Sequence, residues 1–350
     1  MKTVIVTGCC GFIGSHFIRM LLKRTDWRVV NLDMLTYAGN LENLSGLEEG
    51  ELYHFVKGDV ADLSVVDKLF QEERPSVVIN FAAESHVDRS IIDPSPFIKT
   101  NVIGAQVLLE AARQHQVERF IQMSTDEVYG DTEGREPSSE ETILMPSSPY
   151  AASKAAADLM CLAYRRTHRL PVLIVRSANN YGAYQFPEKL IPLTINNALK
   201  GKDLPIYGDG LQQRDWLYVE DCCRAILNVV EQGTIGSIYN IGTEKQRTNL
   251  EVVRAICQIV AKEANLDLAR ILGQMRYVQD RPGHDRCYAL NTQKIRRQLG
   301  WSPEVSFEVG LKQTVCWYLE HQDWLKRVIS GEYQTYYDDV YLRTWKKSSK

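Results

Sequence analysis

The 350 residues include eight cysteines but no Cys-x-x-Cys pair and no Cys/His ligand spacing, and Cys9-Cys10 and Cys222-Cys223 are immediate neighbours. That pattern argues against a structural zinc site, and against metal altogether, and for reduced thiols in the cytoplasm. No apolar run approaches the roughly 20 residues that a membrane span needs. The N-terminal run turns to glycine directly after Thr7, too soon for a signal peptide. Charge of one sign is also missing: 41 basic residues face 44 acidic ones, a net charge of −3. Nucleic acid is therefore not an expected partner, whereas a compact anionic small molecule is compatible. There is no internal repeat.

What is present is enough apolar residue, 44%, for more than one core. At this length a large domain with a smaller dependent lobe is expected. Short β-branched runs at 3–7, 29–32, 53–56, 77–81, 120–123 and 172–175 alternate with stretches whose apolar residues recur at helical spacing, such as Phe12, Ile13, Phe17 and Leu21. This predicts an α/β fold, a Rossmann-type doubly wound parallel sheet. After Tyr181 glycines and prolines break the rhythm, and helices are expected at 189–199, 219–230, 250–264 and 307–319. The expected organisation is a dinucleotide-binding domain over 1–180 that carries the catalytic residues. A smaller mixed α/β substrate lobe follows over 181–340, with some crossing of the chain, and then a disordered tail over 341–350.

The first strand leads into Gly8-Cys9-Cys10-Gly11-Phe12-Ile13-Gly14. Side chains at Gly8 or Gly11 would obstruct a tight turn and the approach of a pyrophosphate to a helix N-terminus, and Gly14 lets helix and sheet pack closely. Asp33 ends the second strand, where a carboxylate can accept from ribose hydroxyls and repel a 2′-phosphate, so NAD is expected over NADP. Asp59 follows the third run, near an adenine, and the small Ala82 and Ala83 follow the fourth.

Tyr150 and Lys154 stand one helical turn apart after Pro149, on one face. A nearby ammonium is expected to lower the tyrosine pKa and offer donors to a ribose. Ahead of them, at the end of the fifth strand, lies Ser124-Thr125-Asp126-Glu127-Val128-Tyr129-Gly130. One carboxylate and one carboxylic acid beside a tyrosine provide the groups needed to eliminate water, and burial side by side would raise one pKa of such a pair.

These stretches, with Asp33-Met34-Leu35-Thr36-Tyr37-Ala38-Gly39-Asn40, Ala83-Glu84-Ser85-His86-Val87-Asp88-Arg89-Ser90, Pro187-Glu188-Lys189-Leu190-Ile191-Pro192 and Asp280-Arg281-Pro282-Gly283-His284-Asp285-Arg286, carry a resemblance over nearly the whole chain. The sequence resembles the extended short-chain dehydrogenase/reductase family of nucleotide-sugar enzymes, within it the hexose 4,6-dehydratases. The resemblance implies NAD-dependent dehydration of a nucleoside-diphosphate hexose such as dTDP-glucose, with tightly bound NAD recycled within each turnover. It implies Tyr150 as the base at the 4-hydroxyl, Glu127 as the base at carbon 5, Asp126 as the acid at the departing 6-oxygen, and Thr125 as a donor to the 4-oxygen. A local turn bond is the alternative for Thr125.

The same resemblance adds Phe12, Ile13, Leu35, Thr36, Val60, Ser85, Thr100 and Asn180 to the cofactor site. For the substrate it implies Ser85, Asn179, Lys189, Leu190, Pro205, Tyr207, Asn249 and His284, with Arg214 and Arg281 on the diphosphate because guanidinium pairs bidentately with phosphate. His86 is read as a positioning or packing residue. A homodimer through the helices after Pro96 and Pro149 is also implied. The chain departs from the family wording at Cys9-Cys10, commonly Gly-Ala, and at Ala183, commonly proline, and the two cysteines suggest sensitivity of cofactor binding to thiol reagents. A 4-epimerase or decarboxylase of the same family and a non-catalytic NAD sensor are the alternatives. The sensor would have no use for both an acid and a base.

Overall fold

A computed structural model describes residues 2–329. The tail expected at 341–350 and the last stretch of the expected second lobe lie outside the described residues.

The six β-branched runs form β1 (Thr3–Thr7), β2 (Arg28–Asp33), β3 (Tyr53–Lys57), β4 (Val77–Asn80), β5 (Arg119–Thr125) and β6 (Val172–Ser177). Alternate side chains feed two apolar layers. Val4, Val6, Val77, Ile79, Ile121 and Met123 meet the helices Phe12–Arg24 and Val219–Gln232 on one face. Ile5, Val30, Val78 and Phe120 meet the helices Leu63–Glu73 and Ala105–Gln114 on the other. Burial on both faces explains why these runs are almost continuously apolar.

The chain continues through β7 (Asn179–Tyr181), β8 (Leu204–Tyr207), β9 (Gln213–Tyr218), β10 (Ile238–Ile241), β11 (Gln246–Thr248) and β12 (Met275–Val278). Of these, β10 returns to the main sheet and pairs in parallel with β6, Tyr239 opposite Val175. The seven strands run in the order β10-β6-β5-β4-β1-β2-β3. The chain therefore crosses back over the boundary expected at 180. Two small sheets, β11-β9-β7 and β12-β8, build the second lobe around Ile191, Ile195, Val252, Ile256, Val315 and Tyr318. The helices Leu190–Lys200, Asn249–Glu263 and Phe307–Glu320 of this lobe, and Val219–Gln232 on the main sheet, lie within two residues of the expected spans. No helix among the described residues is long and apolar enough to cross a membrane.

The sheet order turns at the β1/β4 pair, since β2 and β3 extend one way and β5, β6 and β10 the other. Ligands of such sheets sit in the crevice beyond the strand ends at this point. A buried polar ladder levels those ends: the Thr7 hydroxyl donates to Asn80 Oδ1 at 2.6 Å, and Asn80 Nδ2 donates to Gln122 Oε1 at 2.9 Å.

One buried ion pair ties β6 to the helix Pro149–His168. Arg176 Nε meets Asp158 Oδ2 at 2.8 Å, both side chains almost wholly enclosed, and Arg176 Nη1 also donates to the Tyr129 hydroxyl at 2.9 Å. Removing one partner of such a pair leaves a buried charge uncompensated. Arg176→Met should therefore lower the unfolding free energy by about 3–5 kcal/mol in urea titrations at neutral pH; a loss below about 1 kcal/mol would show that the pair is not under this constraint.

Candidate active site

The crevice at the β1/β4 turn point opens into a cavity of about 290 Å³. Its first wall is the glycine turn. Gly8 has φ +70°, and a Cβ there would stand 2.5 Å from the Ala82 Cα, while one at Gly14 would stand 2.6 Å from Cys9. The helix Phe12–Arg24 starts at Gly11 with no capping side chain and no acid in its first turn. Its first amide groups are thus open to an anion, which the helix dipole also favours. Asp33 accepts from the Cys10 amide through Oδ2 and from the Leu35 amide through Oδ1, each at 2.8 Å. Gly8, Gly11, Phe12, Ile13, Gly14, Asp33, Thr36, Asp59, Val60, Ala82, Ala83, Ser85, Thr100 and Asn180 all line the cavity; Leu35 does not. The cradle fits a dinucleotide: a narrow backbone turn for phosphate, a carboxylate for ribose, and no side chain where the chain must approach.

The sequence suggested that Cys9 and Cys10 expose the site to thiol reagents. The structure corrects this, because both are fully buried and burial pushes the Cys9 thiol well above its usual range. Neither presents a thiolate.

At the cavity's other end, Ser148 caps the helix Pro149–His168 by accepting from the Ala151 amide at 3.1 Å. That cap and Pro149 fix the first turn, placing Tyr150 and Lys154 on the cavity wall. Lys154 Nζ donates to the Met123 carbonyl at 2.5 Å, and burial holds its pKa down at about 8. The lowered tyrosine pKa expected from this lysine is not found. Burial, then Glu127 and Asp126, push Tyr150 upward, against a hydrogen bond from Thr125.

Between cradle and tyrosine stands the turn Asp126–Tyr129. Thr125 caps it by accepting from the Glu127 amide at 3.2 Å, and its hydroxyl donates to Asp126 Oδ1 at 3.1 Å. The local turn bond is therefore formed. Asp126 is 3% exposed, and its Oδ2 has no hydrogen-bond partner. Burial and the neighbouring Glu127 push its carboxyl well above the usual range. Burial raises Glu127 too, but Arg281, Arg214 and Lys189 act against it. Both carboxyls are thus raised, Asp126 well above its usual range and Glu127 with three cations acting against the rise.

A profile of the GDP-mannose 4,6 dehydratase family matches residues 5–314. The chain belongs to this family. A dTDP-glucose 4,6-dehydratase of Neisseria meningitidis serogroup B is 48% identical, the match covering 95% of this chain and 98% of that one. Among solved structures, a dTDP-glucose 4,6-dehydratase of Streptomyces venezuelae with NAD and TYD bound superposes with TM-score 0.87 at 44% identity, covering 93% of this chain and 100% of that one. A UDP-glucose 4-epimerase of Thermotoga maritima with UDP-glucose reaches TM-score 0.82 at 30% identity, covering 92% and 100%. Because the fold is shared by dehydratase and epimerase alike, the side chains must distinguish them.

In this dehydratase-family member the expected substrate residues divide into two sets. Ser85, Thr125, Asp126, Glu127, Asn179 and Lys189 line the cavity, Asn179 Oδ1 without a partner and Lys189 Nζ donating to the Ser85 carbonyl at 2.6 Å. Leu190, Pro205, Tyr207, Arg214, Asn249, Arg281 and His284 do not line it. Among them, Tyr207 and Arg281 converge on Asp88, at 3.1 and 3.2 Å, and His284 Nδ1 lies 2.6 Å from Asp280, its pKa held down at about 4, chiefly by burial. Arg214 is spanned by the carbonyls of Gln213 and Asp285, both at 2.8 Å, over the Tyr288 ring. Pro205 lies in β8, and Leu190 and Asn249 open their helices. His86 serves as a helix cap, Nδ1 accepting from the Arg89 amide at 3.4 Å.

Sequence reasoning missed Glu84, Gln185, Phe186 and Glu188 on the cavity wall. Glu84 and Glu188 sat inside quoted motifs, yet no spacing marked them as inward. Among the described residues no group of three or more His, Cys, Asp or Glu could hold a metal.

The acid's buried carboxyl has a measurable cost. A group whose folded pKa is raised binds its proton more tightly in the folded state, so its contribution is full below the unfolded pKa and is lost as pH rises toward the folded one. Asp126→Asn should therefore be more stable than the parent at pH 7, with the difference shrinking as pH falls to about 4. A parent at least as stable as the variant at pH 7 in paired urea titrations would show that Asp126 is not raised.

Proposed function

We propose that this protein catalyses the NAD-dependent dehydration of a nucleoside-diphosphate hexose, dTDP-glucose to dTDP-4-keto-6-deoxyglucose and water. The observation that carries the reading is the unlike pair, an enclosed Asp126 beside a cation-facing Glu127. The family membership and the names of its relatives support it. A 4-epimerase needs only the tyrosine at carbon 4 and has no task for two further carboxyls.

NAD would be held by the Gly8–Gly14 turn, Asp33, Asp59, Tyr150, Lys154 and Asn180; when bound, it supplies the acceptor and later donor of hydride, and its oxidised ring brings a positive charge. Tyr150 rests as a phenol between burial and two acids, so it can act as a base only where positive charge offsets them. Having lost its own proton there, it takes the proton of the 4-hydroxyl as hydride departs from carbon 4, and the Thr125 hydroxyl donates to the same oxygen. A carbonyl at carbon 4 acidifies the hydrogen on carbon 5. Glu127, kept ionisable by Arg281, Arg214 and Lys189, removes that proton. Asp126, kept protonated, gives its proton to the oxygen leaving carbon 6 as water; carbon 6 of the resulting enone then regains the hydride and Glu127 returns its proton to carbon 5, which completes the 4-keto-6-deoxy product. Arg214 and Arg281 meet the diphosphate, and Lys189, Asn179, Tyr207, Asn249 and His284 border the rest of the nucleotide sugar.

We place the enzyme in the cytoplasm as a homodimer. All eight cysteines are free. Ile92, Ile98, Ile103 and Leu159 are 68, 51, 46 and 57% exposed on the helical segments Val87–Ile92, Ile98–Gly104 and Pro149–His168, apolar surface suited to a second copy.

Incubation with dTDP-glucose should give a product lighter by one water, with no net consumption of NAD. Asp126→Asn and Glu127→Gln should each fall by about 10²- to 10⁴-fold in turnover while remaining folded. An epimerised product of unchanged mass, or near-normal turnover in either variant, would overturn the assignment.

A further inference from the structure

Two segments that face each other across the cavity are joined by side chains that take no part in the chemistry above. Thr36, Ala38 and Gly39, from the strap after Asp33, line one side, and Gln185, Phe186, Glu188 and Lys189, from the second lobe, line the other. Tyr37 bridges them. Its hydroxyl donates to Glu188 Oε1 at 2.9 Å, and its ring meets the edge of Phe186 with centroids 5.4 Å apart. The Arg89 guanidinium lies 3.9 Å over the Tyr37 ring, while its Nε meets Glu188 Oε2 at 3.3 Å. The Glu188 side chain is only 1% exposed.

The same strap is fastened farther along. Asn43 donates to the Cys10 carbonyl at 2.8 Å and accepts from Trp324 Nε1 at 2.9 Å, tying the glycine turn to the helix Gln322–Val328. At that end the strap is part of the cofactor cradle itself. The Tyr37 contact is thus a second fastening of strap to second lobe, this one beside cavity-lining residues of both.

We propose that Tyr37, Glu188 and Arg89 form a clasp that retains the dinucleotide, closing the strap against the second lobe so that cofactor release requires the clasp to open. The cofactor is reduced and reoxidised within each cycle, so a cofactor lost midway would strand an intermediate. Glu188 accepts from two donors at once in an enclosed site, where cutting a hydrogen bond leaves a buried group unsatisfied. Burial and Glu188 push the Tyr37 hydroxyl well above its usual range, so it stays a donor throughout the working pH.

The clasp rests on the cofactor reading above, and a release experiment separates the two. Protein loaded with NADH is mixed with excess NAD, and the loss of bound-NADH fluorescence gives the dissociation rate without any sugar present. Tyr37→Phe keeps the ring on Arg89 and Phe186 and removes only the bond to Glu188. Glu188→Gln keeps the shape and removes the charge. Each should speed release by about tenfold, and the double variant should be little faster than the faster single one, because both cut one contact. Release within twofold of the parent in both single variants, or fully multiplicative effects in the double, would overturn the clasp. Failure of the parent to bind NADH saturably would instead sink the cofactor reading.

Discussion

Two carboxyl groups on adjacent residues of one buried turn cannot both hold a charge without a large electrostatic cost, and the active site turns on how that conflict is settled. Asp126 is enclosed, with one oxygen held by Thr125 and the other without a partner. Glu127 looks toward Arg281, Arg214 and Lys189. We propose that position settles the conflict: burial beside Glu127 favours the proton on Asp126, and Arg281, Arg214 and Lys189 favour charge on Glu127. On that proposal, two groups of the same chemical type become distinct reagents, an acid and a base.

The fold supplies that difference. The turn hangs from the carboxyl end of β5, levelled with its neighbours by the Thr7–Asn80–Gln122 ladder, so the cofactor cradle and the acid pair open onto one crevice. The cations come from elsewhere: Lys189 precedes the helix Leu190–Lys200, Arg214 lies in β9 and Arg281 follows β12. Neither lobe alone contains the active arrangement. The Lys189 contact to Ser85 and the Tyr37 contact to Glu188 join residues of the two parts of the chain around the cavity.

Much of this was legible in the chain. The six β-branched runs and the glycine turn have local causes, periodicity and backbone freedom, and appear where the pattern puts them. The acid pair and the Tyr150/Lys154 turn could be found by chemistry, because few tasks need all four. Less visible were features that arise only across the fold. Ile238–Ile241 is four residues between Gly236 and Gly242, too short to announce a seventh strand. The upward push on Tyr150 depends on burial in the folded cavity and then on carboxyls more than twenty residues away in sequence, and the inertness of Cys9 and Cys10 depends on packing against β2 and the helix Val219–Gln232 rather than on their place in a glycine turn. The surroundings of Glu188 come from Tyr37 and Arg89, which are distant from it in sequence.

The proton on Asp126 is the claim most open to a direct reading. Infrared difference spectra between the parent and its variants at pH 7 distinguish a protonated carboxyl from a carboxylate. A protonated-carboxyl band present in the parent, lost in Asp126→Asn and kept in Glu127→Gln is the result predicted. A band that disappears with Glu127 instead, or no such band in the parent, would contradict the division of roles.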